Sequence, residues 1–178
     1  SLLLILLIPM NKLGMNPTQM YSEKYTSYGS DVLWLDKKLG ATFPISFKAM
    51  SDNGSVSNPK FLEGLDNFSM WLEKQNEVTH VTSLARTMKS LNKSMHGDDL
   101  KMKVIPEDQE LSSQYLFFYE MSLPMGLDLN TSISQDRGST RIAATLREMT
   151  SKEYLIFDKK VSAYLRAVSY THLRAHET

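Results

Sequence analysis

The chain contains no cysteine. Disulfides and thiolate metal sites are therefore excluded, and the redox compartment leaves no signature. It has no excess of charge: 20 basic residues balance 20 acidic ones. A nucleic-acid binder usually carries a basic surplus, so no nucleic-acid partner is expected. No apolar run reaches the roughly 20 residues that span a bilayer. The catalytic vocabulary is also missing. There is no nucleophile elbow, P-loop, dinucleotide fingerprint or metal-ligand spacing. No catalytic, cofactor-binding or metal-binding residue is assigned, and a role other than catalysis is expected, with no cofactor.

What remains is ordinary globular material. Of 178 residues, 42% are hydrophobic and 22% charged, enough for one domain with a real core. Methionine is plentiful, with 11 copies, and it fills irregular apolar gaps. The most apolar stretch is Ser1–Met10, SLLLILLIPM. It lacks the basic start and small-residue cleavage site of a signal peptide. It reads as a buried core segment, a signal h-region or the end of a transmembrane helix.

The order of elements follows from periodicity. Asn11–Ser30 is polar and reads as a connecting segment. Asp31–Leu39 reads as a short helix, with Ser30 or Asp31 as cap and Gly40 beyond its end. Phe43, Ile45, Phe47 and Ala49 alternate with polar residues, which marks a half-buried strand with Pro44 at its start or on an edge. Asn58 caps a helix beginning at Pro59 and ending near Gln75, with Phe61, Leu65, Phe68 and Leu72 inward. Val78–Leu84 is β-branched and reads as the next strand. Strand, helix and strand make a βαβ unit, whose crossover should be right-handed with parallel strands.

Leu84, Met88, Leu91 and Met95 form the next helical stripe, ended by Gly97, with Lys89 and Lys93 on a solvated outer face. Asp98 and Asp99 lack the spacing of a calcium loop. The stretch Pro106–Asn130 reads as a helix opening at Pro106, acidic in its first turn, and closed by Pro124 and Gly126. Its expected core face is Leu111, Tyr115, Phe118 and Ser122, widened by Leu116 and Tyr119. Thr131–Gly138 is a loop, with Asp136, Arg137 and Arg141 read as solvated charges. Ser139–Arg147 alternates with Thr140, Ile142, Ala144 and Leu146 inward. Thr150 and Glu153 form a capping box ahead of a helix with Tyr154, Phe157, Val161 and Leu165 inward. His80 reads as a surface or hydrogen-bonded residue. The sequons at Asn53, Asn67, Asn92 and Asn130 read as chance, since two fall in expected helices.

The words QYLFFYEMSLPMGLDLN and STRIAATLRE, with PKFLEGLDNFSMWLEKQNEVTHVTSLARTMKSLNKSMHGDD upstream, carry a further signal. Their order and spacing, from Pro9 to about Leu165, resemble the second extracytoplasmic loop of RND-superfamily exporters, in the MMPL and Patched-like branch. The resemblance implies a ferredoxin-like α+β porter subdomain with the helices between residues 85 and 123 inserted. It implies that Ser1–Met10 ends a transmembrane helix. It further implies a proton-driven exporter of hydrophobic or lipid-like molecules in the bacterial inner membrane, with this segment on the periplasmic side. The partners it implies are the bilayer, the substrate, and the neighbouring porter domain and transmembrane helices of the same chain. The proton relay of such exporters lies in transmembrane helices, so no relay or substrate-path residue is assigned here. The other reading is a membrane-tethered extracytoplasmic binding or sensor module.

The end of the chain has another character. Val168–Thr178, VSYTHLRAHET, resembles the in-frame translation of a transposon-based sequencing adapter. His172 and His176 are spaced as in some helical zinc sites, but the stretch is set aside from fold and function. The expected division is 1–10 as a helix end, 11–167 as an incomplete porter subdomain, and 168–178 as an artefact. The strand that should follow the last helix is then missing. Sequencing the source locus without adapters should show no in-frame codons for Val168–Thr178; their presence in genomic DNA would sink this reading.

Overall fold

The computed structural model describes residues 43–124, 129–147, 149–168 and 173–177, with Asp31 and Trp34 as isolated helical positions. For Phe43 and for 173–177 the description is of the backbone. The stretches 1–10 and 11–30, and most of the expected helix at 31–39, lie outside it. The element order is β1 (Phe43–Ser51), α1 (Pro59–Glu73), β2 (Val78–Thr82), α2 (Leu84–Met95), α3 (Gln109–Ser122), β3 (Ser139–Leu146), α4 (Ser151–Val168) and β4 (Leu173–Glu177). The fold is α+β.

The sheet has four strands in the order β2-β3-β1-β4. Every neighbouring pair is antiparallel, with Phe47 opposite Ile142 and Val81 opposite Ala144. So β1 and β2 run the same way, as a βαβ unit requires, but they are not neighbours: β3 lies between them. Alternation along each strand sets the register, because a one-residue slip would turn the apolar set outward. Phe47 and Ala49 of β1 and Thr140, Ile142, Ala144 and Leu146 of β3 are buried on one face. Pro44 lies in the part of β1 that β4 does not cover, where its missing N–H leaves no gap in that ladder.

Helix α1 forms where Asn58 accepts from the Phe61 N–H at 3.2 Å and Pro59 takes the first position. Phe61, Leu62, Leu65, Phe68 and Leu72 are its buried face. Phe68 meets Phe47 edge-on at 5.5 Å and stacks near Tyr164 of α4 at 5.8 Å. Trp71 stacks on Tyr164 at 4.2 Å. Aromatic pairs in these geometries add to what area burial alone contributes. The α4 capping box forms as expected: the Glu153 carboxylate accepts from the Thr150 N–H at 2.7 Å, and the Thr150 hydroxyl accepts from the Glu153 N–H at 3.3 Å.

Four expectations are corrected. Helix α3 starts at Gln109, not Pro106: Asp108 is the cap, accepting from the Glu110 N–H at 2.8 Å. Its buried residues are Ser112, Tyr115 and Leu116, while Phe117 and Phe118 are each 54% exposed and Met121 is 69% exposed. The aromatic stripe is thus split across two faces; among the described elements, α3 makes its main packing contact with α2. The stripe of α2 ends early, with Met95 exposed. Lys89 is not a solvated outer-face residue: its Nζ lies 2.9 Å from Asp66 of α1, and both side chains are largely covered. Finally, a strand does follow α4. Leu173–Glu177 pairs with β1, with Ala175 opposite Ala49. A strand ladder is made by backbone groups, so an open edge accepts a segment with little regard to its side chains.

The hub at Phe68 yields a test. Phe68→Ala should lower stability by about 3–5 kcal/mol, the usual range for a buried Phe truncated to Ala. Lys74→Ala, at an exposed position, should be nearly silent. Equal mildness of the two in chemical denaturation would refute the face assignment of α1.

Candidate functional site

Of the depressions formed by the described residues, two differ clearly in the side chains that line them. The first is a cavity of about 280 Å³ where β1 begins, β3 ends and α4 begins, lined by Pro44, Ile45, Leu146, Met149, Thr150, Ser151 and Tyr154. Strand alternation places Ile45 and Leu146 on the core face, and the α4 period adds Tyr154. The lining is predominantly apolar, and the volume is at the small end of ligand pockets. Thr150 sits at the start of α4, where backbone N–H groups would normally favour an anion. Here the Glu153 carboxylate already accepts from both the N–H and the hydroxyl of Thr150, at 2.7 and 2.9 Å. An anionic head group there would meet that carboxylate. The pocket therefore suits a neutral apolar group, such as a ring or a short acyl segment.

The second is a cleft of about 530 Å³ between α1, α2 and the segment leading into α3, lined by both charged and apolar residues. Glu63, Asp66, Lys89, Lys103 and Glu107 are among its lining residues. Lys89 donates to both Asp66 oxygens, at 3.1 and 2.9 Å. The buried Asn92 amide donates to the Val104 carbonyl at 3.1 Å and ties α2 to the far wall. His96 Nδ1 lies 2.8 Å from the Asn92 carbonyl, which fixes the ring. No nucleophile stands beside a base here. Lys89 and Asp66 are paired for structure.

The residues singled out from the sequence are scattered. His80 is exposed on β2, in register with Thr145. Asp98 adopts φ +63° and pairs with Lys93 at 3.1 Å; the hydrogen bond from Lys93 holds its carboxyl below the usual range. Asp99 caps the short turn Leu100–Met102, accepting from the Lys101 N–H at 2.9 Å. Asp136 is likewise held low, first by the Ser134 hydroxyl and then by the Gly138 N–H. Arg137 is not a free loop charge, since it pairs with Glu120 of α3. Asn67 and Asn92 both lie within helices. No group of three or more His, Asp or Glu side chains that could hold a metal occurs among the described residues. No helix among them is long and apolar enough to cross a membrane. Comparison with family models, curated proteins and solved structures finds no match to this chain.

The two lysine pairs of α2 should behave differently. Lys89–Asp66 is mostly withdrawn from water, so a double-mutant cycle with Lys89→Met and Asp66→Asn should give a coupling of about 1 kcal/mol or more. Lys93–Asp98, with the aspartate exposed, should give no measurable coupling. Equal couplings would contradict the packing of α1 against α2.

Proposed function

We propose that this chain is part of an extracytoplasmic porter domain of an RND-type exporter, which moves hydrophobic or lipid-like molecules across a bacterial inner membrane using proton flux. The resemblance of the ordered blocks, from Pro9 to about Leu165, to that branch of exporters carries the reading. The strand order β2-β3-β1, with α1 as the helix between β1 and β2, supports the finer fold proposal. In a ferredoxin-like arrangement, α2 and α3 are then an insertion between the second and third strands. The apolar cavity at the start of α4 supports a substrate class without charge at the contacting end.

In this reading the domain has no chemistry of its own. It supplies walls to a substrate path and moves as a body against neighbouring domains. Residues that shape the cavity, Ile45, Leu146 and Tyr154, act by fit. Proton coupling takes place in the transmembrane helices, where burial makes an ionisable group functional.

The complete coding sequence tests this directly. Downstream of residue 167 it should continue into several apolar spans of about 20 residues each. A single span would favour the tethered sensor, and no span at all would remove the exporter reading.

A further inference from the structure

The face of the sheet opposite the core carries an arrangement that the exporter reading does not use. Lys48 of β1 stands directly opposite Arg141 of β3. Both are exposed. The Arg141 N–H donates to the Ser132 carbonyl at 2.8 Å, which lies on the side away from β1. Backbone groups of one residue point the same way, so Arg141 and Lys48 form a non-hydrogen-bonded pair. That is the closer of the two cross-strand geometries, with Cβ atoms about 4.5–5.5 Å apart. Like charges directly opposite are destabilising. Among the side chains described, no carboxylate lies within ion-pair distance of either cation. Asp136, whose field reaches Lys48, is already engaged by the Ser134 hydroxyl and the Gly138 N–H.

Beside the two cations runs a shallow groove of about 210 Å³, lined also by Asn130, Thr131, Ser132 and Ser134. The Ser132 carbonyl accepts from both the Arg141 N–H and the Thr140 hydroxyl, at 2.8 Å each, which fixes the groove wall. Among the described residues the Ser132 hydroxyl itself has no partner. Two cations and a free hydroxyl donor thus converge on one side of β3. Arginine presents a planar fork that matches a tetrahedral oxyanion, and lysine adds a point charge. Sites that break a local rule of stability are where function is found.

We propose that the Lys48–Arg141 groove is a phosphate-binding site, which recognises the phosphate of a lipid head group or a free phosphate. Arg141 contributes the bidentate contact, Lys48 the second charge, and Ser132 a neutral hydrogen bond. The bound anion relieves the repulsion between the cations. The proposal goes beyond the exporter reading and does not depend on it. The groove is also separate from the apolar cavity, which is lined by other residues at the start of α4.

The test uses the full chain with Lys48→Gln, Arg141→Gln and, as a control of equal charge change, Lys101→Gln at an exposed position. Melting is followed with and without inorganic phosphate. Co-sedimentation is measured with vesicles of phosphatidylglycerol in phosphatidylcholine and with phosphatidylcholine alone. Without phosphate, either glutamine variant at the groove should melt at or above the unsubstituted chain. Phosphate should raise the melting temperature of the unsubstituted chain and of Lys101→Gln, but not of the groove variants. If the source is a lipid, sedimentation with phosphatidylglycerol should fall at least several-fold in the groove variants only. A phosphate shift without that fall assigns the site to free phosphate, and the fall without a shift assigns it to the head group. The proposal is overturned if neither probe separates the groove variants from Lys101→Gln. It is also overturned if the groove variants melt well below the unsubstituted chain without phosphate, since the pair would then be stabilising by itself.

Discussion

The stacking of Phe68 between sheet and helix is the constraint on which the other packing depends. Its ring reaches Phe47 of β1 on one side and Tyr164 of α4 on the other. Trp71, one position along the same helix face, stacks on Tyr164 as well. One side chain thereby fixes the distance from α1 to the sheet and the rotation of α4 about its own axis. Once those are set, Phe157 and Val161 fall into the core without further choice. The phenolic end of Tyr164 feels the same crowding, since burial pushes its ionisation upward.

Much of this was legible in the residues. Strict alternation in β1 and β3 fixed which side chains face inward, because a strand has only two faces. The helical stripe at Phe61, Leu65, Phe68 and Leu72 fixed α1, and Thr150 with Glu153 marked the start of α4. Helix α3 resisted the same treatment. Its apolar residues run nearly all round, so periodicity alone cannot say which arc meets a neighbour. The packed arc covers Tyr115 and Leu116 and leaves Phe117 and Phe118 exposed. Pro106 likewise looked like a first helical residue, but a longer approach let Asp108 supply the cap. The position of β3 between β1 and β2 is a long-range pairing with no local signature.

The cavity and the groove were not legible at all. Ile45 of β1 is far in sequence from Leu146 of β3 and Tyr154 of α4, and each reads locally as a core residue. Lys48 and Arg141 read as two unrelated outward positions on two strands. Only the register between β1 and β3 puts them opposite each other. Lys89 failed for the same reason: on its own helix it lies outside the apolar stripe, and only the approach of α1 brings Asp66 to it.

The position of β3 has a consequence for the order of events during synthesis. The strand at the centre of the pairing, Ser139–Leu146, is the third to leave the ribosome, yet both earlier strands pair with it and not with each other. Until it emerges, β1 and β2 have no common neighbour, and the apolar face of α1 has no sheet to cover. The intervening stretch 83–138 must therefore be made while that surface is unprotected. At ordinary elongation rates of about 5–20 residues per second, the wait lasts several seconds. Such a nascent chain is a natural client for chaperones. A slow codon between residues 83 and 139 would lengthen its exposure.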